Sequence, residues 1–599
     1  MNLVYPMYIK QFLISLVMTL TKCLRLITII VITVNIGYSQ EQDQDTLAQQ
    51  TVNVMKPYTP TISDAFKIQL NPQLGASDSL KKKKVVYNIF SIPVASTFTP
   101  AKGKAASVER SKPKPSYNNY ASFGLGNYTN ILGDVYLNHE LNNGALVGGY
   151  LGHHSSQGGI DDLVLEDGFS KTNLDVFYKE TQNDYEWKIN GGLDLRTFNW
   201  YGLPQELYAD NVAEAIDPQH NFTGFNLGGE LQFYDEFLKD ISVRFKHFSD
   251  NYNASENRYT AGTNFKFHVN RETITTTLFL DGLSGEFGQS YLGSENIRYK
   301  NFIVGASPSY QLNQDDLTVN LGLSLVYFNA SELNESKFYV YPNIEATYKV
   351  VSDVVKAYAG VTGELRQNSY QEFTEANPFV SPTLNIRPTD QPYKGFLGLK
   401  GKLSQNVTYD LNGSYTKENN KPLFKAHNAL SFATENYQYG NAFNVVYDDV
   451  TTFGLAGSLQ FDLNRNFTLK LNGEYFSYDT SNQQEAWNLP NLTASLFLDY
   501  QISETWYAGA TAYFVGERKD HQVLQFPMQT EDDLNILSED VITLDSFFDA
   551  NAYVGYRVNE QFSVFAKVNN IANQDYQRFL NFPVQGLQFL AGANYQFDF

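Results

Sequence analysis

The segment from Gly152 to Gly159 places two histidines beside two serines, a combination that can support nucleophilic catalysis. A serine hydroxyl becomes a nucleophile when a histidine takes its proton and a third polar group orients the ring. The spacing from His154 to Ser156 fits the first two members of such a set. The sequence names no third member, and a polar rim is expected wherever a strand runs into a loop. We therefore predict no enzymatic activity here.

Ion binding and cofactor binding find equally little support. A cluster of acidic residues near the C-terminal end could hold calcium, but it lacks the oxygen spacing of known calcium loops. Its members are Glu531, Asp532, Asp533, Glu539 and Asp540. We interpret it as a solvated charge cluster. The eight histidines include no HxxxH pair suited to zinc, and no glycine-rich phosphate-binding loop follows a strand. We expect no metal site and no cofactor.

The overall charge argues against nucleic acid as a partner. The 599 residues carry a formal net charge of −20. A chain this acidic repels a phosphate backbone, which basic proteins bind by releasing its counterions. We therefore expect no nucleic-acid partner.

Composition and patterning favour a membrane β-barrel. The chain holds 41 Tyr and 43 Phe, yet its mean hydropathy of −0.34 is too low for a helical membrane protein. Barrel strands need to be apolar only at alternate residues, which reconciles these facts. The last strand shows this alternation, because every second residue from Leu587 to Phe599 is apolar. The predicted fold class is all-β, a transmembrane antiparallel barrel in the outer membrane.

The N-terminus has the features of a secretory signal peptide. Lys22 and Arg25 precede an apolar run, and small residues are placed for cleavage before Gln40. We assign residues 1–39 to this signal, with Met18 as the true start. Its removal takes away three basic residues and no acidic ones, which changes the net charge from −20 to −23. Cys23 lies within the signal, so no disulfide is expected in the mature chain.

Residues 40–115 differ in character from the rest of the chain. They hold 11 basic and 6 acidic residues and 7 of the 20 prolines, which leaves little room for regular structure. Two interpretations remain open: a disordered periplasmic leader, or a basic strip inside an acidic lumen. We predict that this segment lies at least partly within the lumen, because residues 116–599 carry a net charge of −28.

Residues 116–599 contain alternating segments long enough for tilted strands to cross a bilayer. In the segment that starts at Leu317, the apolar residues Val319, Leu321 and Leu323 alternate with polar or small residues. Short turns at one strand end alternate with long connections at the other, such as Tyr370–Tyr393 and Lys519–Val541. This asymmetry is typical of outer-membrane barrels. We predict about 22 strands, with 24 as the alternative if the segments between 422 and 447 form a separate pair.

The C-terminal end resembles that of TonB-dependent receptors over about thirty residues. The shared features are an Asn569-Asn570 pair, Tyr576, a Pro-x-x-Gly motif at 583–586, and a closing strand with aromatic residues at its end. In such barrels a terminal aromatic strand is the signal for assembly. The resemblance therefore implies that Tyr595, Phe597 and Phe599 are recognised by the barrel assembly machinery and face outer-membrane lipid.

The resemblance implies a transport or pore protein for an unknown solute. It departs from the family at the N-terminus, because residues 40–115 are much shorter than a receptor plug domain and lack its glycine-rich pattern. Val52-Asn53-Val54 is similar to the short segment that engages TonB, and whether TonB binds here stays open. The alternative function is a non-transporting structural or assembly subunit with a periplasmic or outer-membrane protein partner.

Overall fold

The computed structural model describes residues 117–598, apart from 205–207, 209, 235–236, 270–271, 431–432, 465 and 526–536. The predicted signal peptide, the basic segment 40–115 and Phe599 lie outside the described residues. No helix in the described part is long and apolar enough to cross a membrane.

Twenty-two antiparallel strands form one closed barrel. Closure occurs where the first strand pairs with the last, with Ala121 opposite Tyr595. The barrel strands are Asn119–Gly126 (β1), Ile131–Glu140 (β2), Leu146–Ser156 (β3), Phe169–Thr181 (β4), Tyr185–Asn199 (β5), Gln219–Phe233 (β6), Leu238–Asp250 (β7), Ser255–Val269 (β8), Glu272–Phe287 (β9), Ile297–Gln314 (β10), Leu317–Ala330 (β11), Glu335–Val351 (β12), Val355–Arg366 (β13), Thr389–Ser404 (β14), Val407–Ala426 (β15), Phe443–Asn464 (β16), Phe467–Thr480 (β17), Leu492–Gln501 (β18), Trp506–Val515 (β19), Phe547–Arg557 (β22), Phe562–Asn569 (β23) and Gln588–Phe597 (β26).

The loops contain a few short elements of their own. Two hairpins are formed by Arg518–Gln525 (β20) with Leu537–Leu544 (β21), and by Gln577–Phe579 (β24) with Phe582–Pro583 (β25). Two short helices are Asp210–Ala213 (α1) and Tyr370–Ala376 (α2).

The predicted strand number of 22 is confirmed, and the alternative of 24 is wrong. The residues between 422 and 447 do not form an extra pair; they include the outer ends of β15 and β16, which are 20 and 22 residues long. About ten residues suffice for a tilted strand to cross a bilayer. These two strands therefore extend well beyond the membrane and carry their outer ends into the loops.

The predicted alternation holds along β11. Leu321, Leu323 and Leu325 are exposed on the outer surface, with exposed fractions of 46%, 40% and 37%. Val326 and Phe328 have the opposite parity and are buried on the inner side. Apolar side chains that stay exposed outside a closed barrel face lipid.

Turns and loops are sorted to opposite ends of the barrel. One end has tight turns such as 182–184 and 315–316, and left-handed backbone at Gly144 (φ 79°) and Asp315 (φ 46°) makes two of these turns possible. The other end has long connections, including 200–218, 367–388, 427–442 and 570–587. By the usual asymmetry the short turns are periplasmic and the long loops lie outside the cell.

Two of the predicted connections have different limits in the structure. The predicted connection Tyr370–Tyr393 extends too far towards the C-terminus, because β14 already begins at Thr389. The connection Lys519–Val541 contains most of the β20–β21 hairpin. Both stretches mix polar and apolar residues without clear alternation, so the sequence pattern alone did not reveal their structure.

Candidate functional site

The outer end of the barrel is closed by a buried cluster that we call the loop core. It joins side chains from the inner wall to side chains from at least four loops: Trp200, Phe222, Phe248, Phe287, Tyr370, Phe379, Tyr437, Phe443, Leu544 and Phe582. The strands that carry Phe222 and Phe443, β6 and β16, lie ten positions apart in the ring of 22. They are nearly opposite each other, so the loop core spans the lumen.

The central part of this closure is the loop 367–388, which we call the mouth loop. It folds inward and most of its residues are buried. Helix α2 forms its first half, and the Ser369 side chain caps that helix by accepting a hydrogen bond from the Glu372 backbone N–H at 3.1 Å. Such caps stabilise short helices. The spacing Ser369-x-x-Glu372 is that of a capping box, a signal by which sequence reasoning could have found α2.

A carboxylate of the barrel wall holds the N-terminus of α2. Glu256, on β8, accepts hydrogen bonds from the backbone N–H groups of Tyr370 at 2.7 Å and Gln371 at 3.1 Å. The Tyr299 hydroxyl also donates to Glu256, at 2.7 Å. A negative charge at a helix N-terminus is favourable because the free N–H groups and the helix dipole converge there. Glu256 therefore fixes both the position and the direction of α2.

Tyr370 adds a second contact to the wall. Its hydroxyl donates to Asp250 at 2.7 Å, and the ring of His220 also contacts Asp250 at 2.9 Å. Burial, reinforced by Asp250, raises the pKa of Tyr370 well above its ordinary range. The hydroxyl thus stays protonated and keeps its role as a donor.

An arginine on β8 connects α2 to the wall through an ion pair. Arg258 donates to both oxygens of Asp281, at 2.7 and 2.6 Å, and to Glu372 at 2.9 Å. Because Asp281 already neutralises the guanidinium, Glu372 gains only partial compensation for its burial. Burial raises the pKa of Glu372 to about 7, with Arg258 acting in the opposite direction.

A second arginine contacts the C-terminal half of α2. Arg196, on β5, donates to the Thr374 hydroxyl at 3.3 Å and lies 4.0 Å from Glu375. Its guanidinium also lies 2.9 Å from Asp194 and 5.3 Å from the ring centres of Phe222 and Phe248. The first half of the mouth loop is therefore attached to the wall by hydrogen bonds and ion pairs.

The second half of the mouth loop is attached differently, by apolar packing and a backbone β-bridge. The ring of Phe379 stacks on Phe582 with centres 3.8 Å apart. Val380 forms an isolated β-bridge with Phe443, the first residue of β16. Leu384 and Ile386 are buried in the same cluster. The first half of the mouth loop thus combines polar contacts to β5–β9 with the packing of Tyr370 and Phe373 in the loop core, whereas the second half packs mainly against the other loops.

The predicted C-terminal residues lie far from this closure, at the periplasmic end. The rings of Tyr595 and Phe597 stack at 5.4 Å, and Tyr595 is 44% exposed on the outer surface. Phe599 lies outside the described residues. The proposed role of these residues in assembly stays a prediction.

The Pro-x-x-Gly region of the C-terminal motif belongs instead to the loop 570–587. Asn570 donates to the Gln585 carbonyl at 3.0 Å, and Tyr576 donates to Asp549 at 2.8 Å. The Tyr201 hydroxyl donates to the Pro583 carbonyl at 2.8 Å. The motif therefore shapes a loop that contributes Phe579 and Phe582 to the loop core.

The histidine–serine segment is split between the two faces of β3. His153 and Ser155 point outward and contact each other at 3.1 Å, while His154 and Ser156 point inward. The Ser156 hydroxyl donates to the Tyr128 carbonyl at 3.1 Å. The predicted pair His154–Ser156 thus lies on the lumenal side, with its serine already bonded to the backbone.

The acidic cluster lies mostly outside the described residues, which exclude Glu531, Asp532 and Asp533; Asp540 is exposed. Within the part of the chain that the structure describes, no three His, Cys, Asp or Glu residues are grouped as a metal site requires.

No protein-family model matches this sequence, and no characterised protein matches it by sequence. Solved structures do resemble it. The FrpB iron transporter of Neisseria meningitidis has a TM-score of 0.60 at 10% identity, covering 81% of this chain and 82% of FrpB. The siderophore receptor PirA of Acinetobacter baumannii has a TM-score of 0.60 at 12% identity, covering 81% of each chain. The ferric-catecholate import receptor Fiu of E. coli has a TM-score of 0.58 at 11% identity, covering 81% of this chain and 82% of Fiu.

At such identities the likeness establishes the fold alone, a closed barrel of 22 antiparallel strands. The closed sheet and its lipid-facing exterior place the chain in the outer membrane. The resemblance carried by the C-terminal motif is thus confirmed as far as the fold, because the barrel is similar to those of solved import receptors and transporters.

Proposed function

We propose that this chain is an outer-membrane transport protein that passes a solute when the mouth loop moves. The observation that carries the proposal is the closure itself, a loop folded into a wide barrel and attached on one side through polar contacts. A barrel of 22 strands is too wide to be filled by its own wall side chains. A closure is therefore needed to keep the lumen from leaking.

The nature of the contacts favours a closure that opens. Water can replace the hydrogen bonds and ion pairs at Glu256, Arg258 and Arg196 when α2 leaves the wall, so their net contribution is modest. Helix α2 contributes two apolar side chains to the loop core, whereas the second half contributes four, and exposing these four to water would have a higher cost. We therefore propose that α2 moves first while the second half of the loop acts as its anchor.

The solved neighbours support transport over catalysis, because their names describe import receptors and transporters. We extend this to the chain as a non-enzymatic transporter of an unidentified solute. The proposed partners are outer-membrane lipid, the barrel assembly machinery and a periplasmic protein that supplies energy. The alternative, a structural or assembly subunit, would need no movable closure.

Conductance of the purified protein in planar bilayers tests the proposal. Residues 370–386 would be replaced by a short Gly-Ser linker, residues 41–115 deleted, and the two changes combined, with heat-modifiability on gels used to confirm folding. If the mouth loop is the closure, its replacement alone produces large, steady conductance. If the segment 41–115 also lies in the lumen, full conductance requires both changes. A folded double variant that does not conduct would refute the transport function and favour the structural alternative.

A further inference from the structure

Three basic side chains occupy one row of the inner wall, near its outer end. His154 lies directly opposite Lys171 across β3 and β4, and Lys171 lies directly opposite Arg196 across β4 and β5. The charges of Lys171 and Arg196 are alike, and like charges in directly opposed positions of a sheet repel and are normally avoided. Their placement under the mouth loop therefore calls for a compensating negative charge.

The wall supplies that charge only in part. Arg196 is paired with Asp194 at 2.9 Å. Lys171 has no carboxylate within 4.0 Å among the described residues, and its ammonium lies 5.1 Å from the ring centre of Phe198. Lys171 is also exposed to the lumen. Lys171 thus forms no close ion pair among the described residues, and its ammonium is available to a molecule inside the barrel.

A further cation approaches from the loop 570–587. Arg578, whose side chain is exposed, lies close enough to Lys171 to act on its charge, as do Arg196 and the carboxylates of Asp194 and Glu375. Lys171 therefore has two strongly basic neighbours, Arg196 on β5 and Arg578 in the loop 570–587. The closest negative charge from the mouth loop is Glu375, which lies 4.0 Å from Arg196 and occupies the same region when α2 is docked.

A second basic row lies at the periplasmic end, on other strands. Lys349 is directly opposite Lys356, and Lys356 is directly opposite Lys400. Asp353 pairs with this row at 2.7 Å from Lys356, and Asp410 of β15 lies directly opposite Lys400. Both ends of the lumen thus have clustered basic side chains, each with carboxylates beside it.

We propose that Lys171, Arg196 and Arg578 form a lumenal site for the anionic group of the solute, a phosphate or a carboxylate. The inference rests on the transport function proposed above and specifies its solute as an anion. Glu375 occupies the edge of the site in the closed state and is withdrawn when the mouth loop moves. The row at Lys356 then receives the anion at the periplasmic end, because basic surfaces raise the local concentration of anions.

Calorimetric titration tests the site on the barrel that lacks residues 370–386, in a non-ionic detergent. Inorganic pyrophosphate and succinate serve as the two anionic probes, and trehalose is the neutral control. We expect both Lys171→Gln and Arg578→Gln to weaken the binding of pyrophosphate about tenfold, the loss typical of one charge-assisted hydrogen bond. Lys470→Gln removes an exposed inward lysine of β17 and should leave the affinity unchanged.

The relative affinities for pyrophosphate and succinate identify which anion the site prefers. Absence of anion binding, or equal affinity in all three variants, overturns the proposal. The readout is independent of current, so a barrel that binds pyrophosphate without conducting would refute the transport function and leave the anion site in place. A barrel that conducts without binding either anion would refute the anion site and leave the transport function in place.

Discussion

Removing the carboxylate of Glu256 should release helix α2 from the wall. In the docked state this carboxylate accepts hydrogen bonds from the backbone N–H groups of Tyr370 and Gln371. The hydrogen bond from the Tyr299 hydroxyl to Glu256 lies within the wall and survives undocking, so it adds nothing to the free energy of docking. Two charge-assisted bonds contribute about 2–4 kcal/mol together, and the cost of burying Glu256 reduces this towards the lower value.

The assay measures how often the mouth loop leaves the wall. The mature chain lacks cysteine if residues 1–39 are removed, so Thr374→Cys would introduce a single thiol at a position that is 1% exposed. A maleimide can modify this thiol only when the loop opens, and the labelling rate then reports the opening equilibrium. Glu256→Ala should accelerate labelling about 30- to 700-fold. Glu256→Gln, which keeps an acceptor but no charge, should have a smaller effect.

Glu230→Ala is the matched control. Glu230 also points inward from the wall, but its partner is Arg244, at 3.2 Å, and not the mouth loop. An unchanged labelling rate in Glu256→Ala, or the same acceleration in Glu230→Ala, would show that Glu256 does not hold α2. The second half of the mouth loop should stay in place in Glu256→Ala, because its apolar contacts do not involve Glu256.

Three further predictions concern pH, register and assembly. Burial raises the pKa of Glu372 from 4.5 to about 7, so the docked loop keeps a proton that the free loop releases. Docking should therefore weaken as the pH rises between these two values. The measurement is the labelling rate of Thr374→Cys compared with the same protein carrying Glu372→Gln, and a rate without this pH dependence would contradict the prediction. Leu321→Arg, on the lipid face, should cost about 2–4 kcal/mol of barrel stability, whereas Asn320→Arg should cost little; urea unfolding measures both, and equal losses would contradict the register. Removal of Asp598–Phe599, or Phe597→Ser, should reduce folded barrel in outer-membrane fractions, as judged by heat-modifiability; normal amounts of both variants would rule out the assembly signal.

The sequence by itself determined the barrel and its orientation, and it limited the strand number to 22 or 24. A lipid-exposed strand must be apolar at alternate residues, and its backbone N–H and C=O groups must form hydrogen bonds within the sheet. The alternation can therefore be recognised in the sequence of each strand separately. The segment from Leu317 shows this, since its parity alone assigned Leu321 and Leu323 to the lipid face. Turn chemistry is local as well, and it separated the short periplasmic turns from the long outer loops.

Only the tertiary structure decided that the mouth is closed and what closes it. Glu256 and Tyr370 are 114 residues apart, and Arg196 and Thr374 are 178 apart. These pairs meet because the sheet curves round on itself and the mouth loop folds inward, and neither event leaves a periodic trace in the sequence. The capping box at Ser369 predicts a helix but says nothing of the wall that receives it. Which inward charges become neighbours depends on the register between strands and on loop positions, and both follow from packing of the whole barrel.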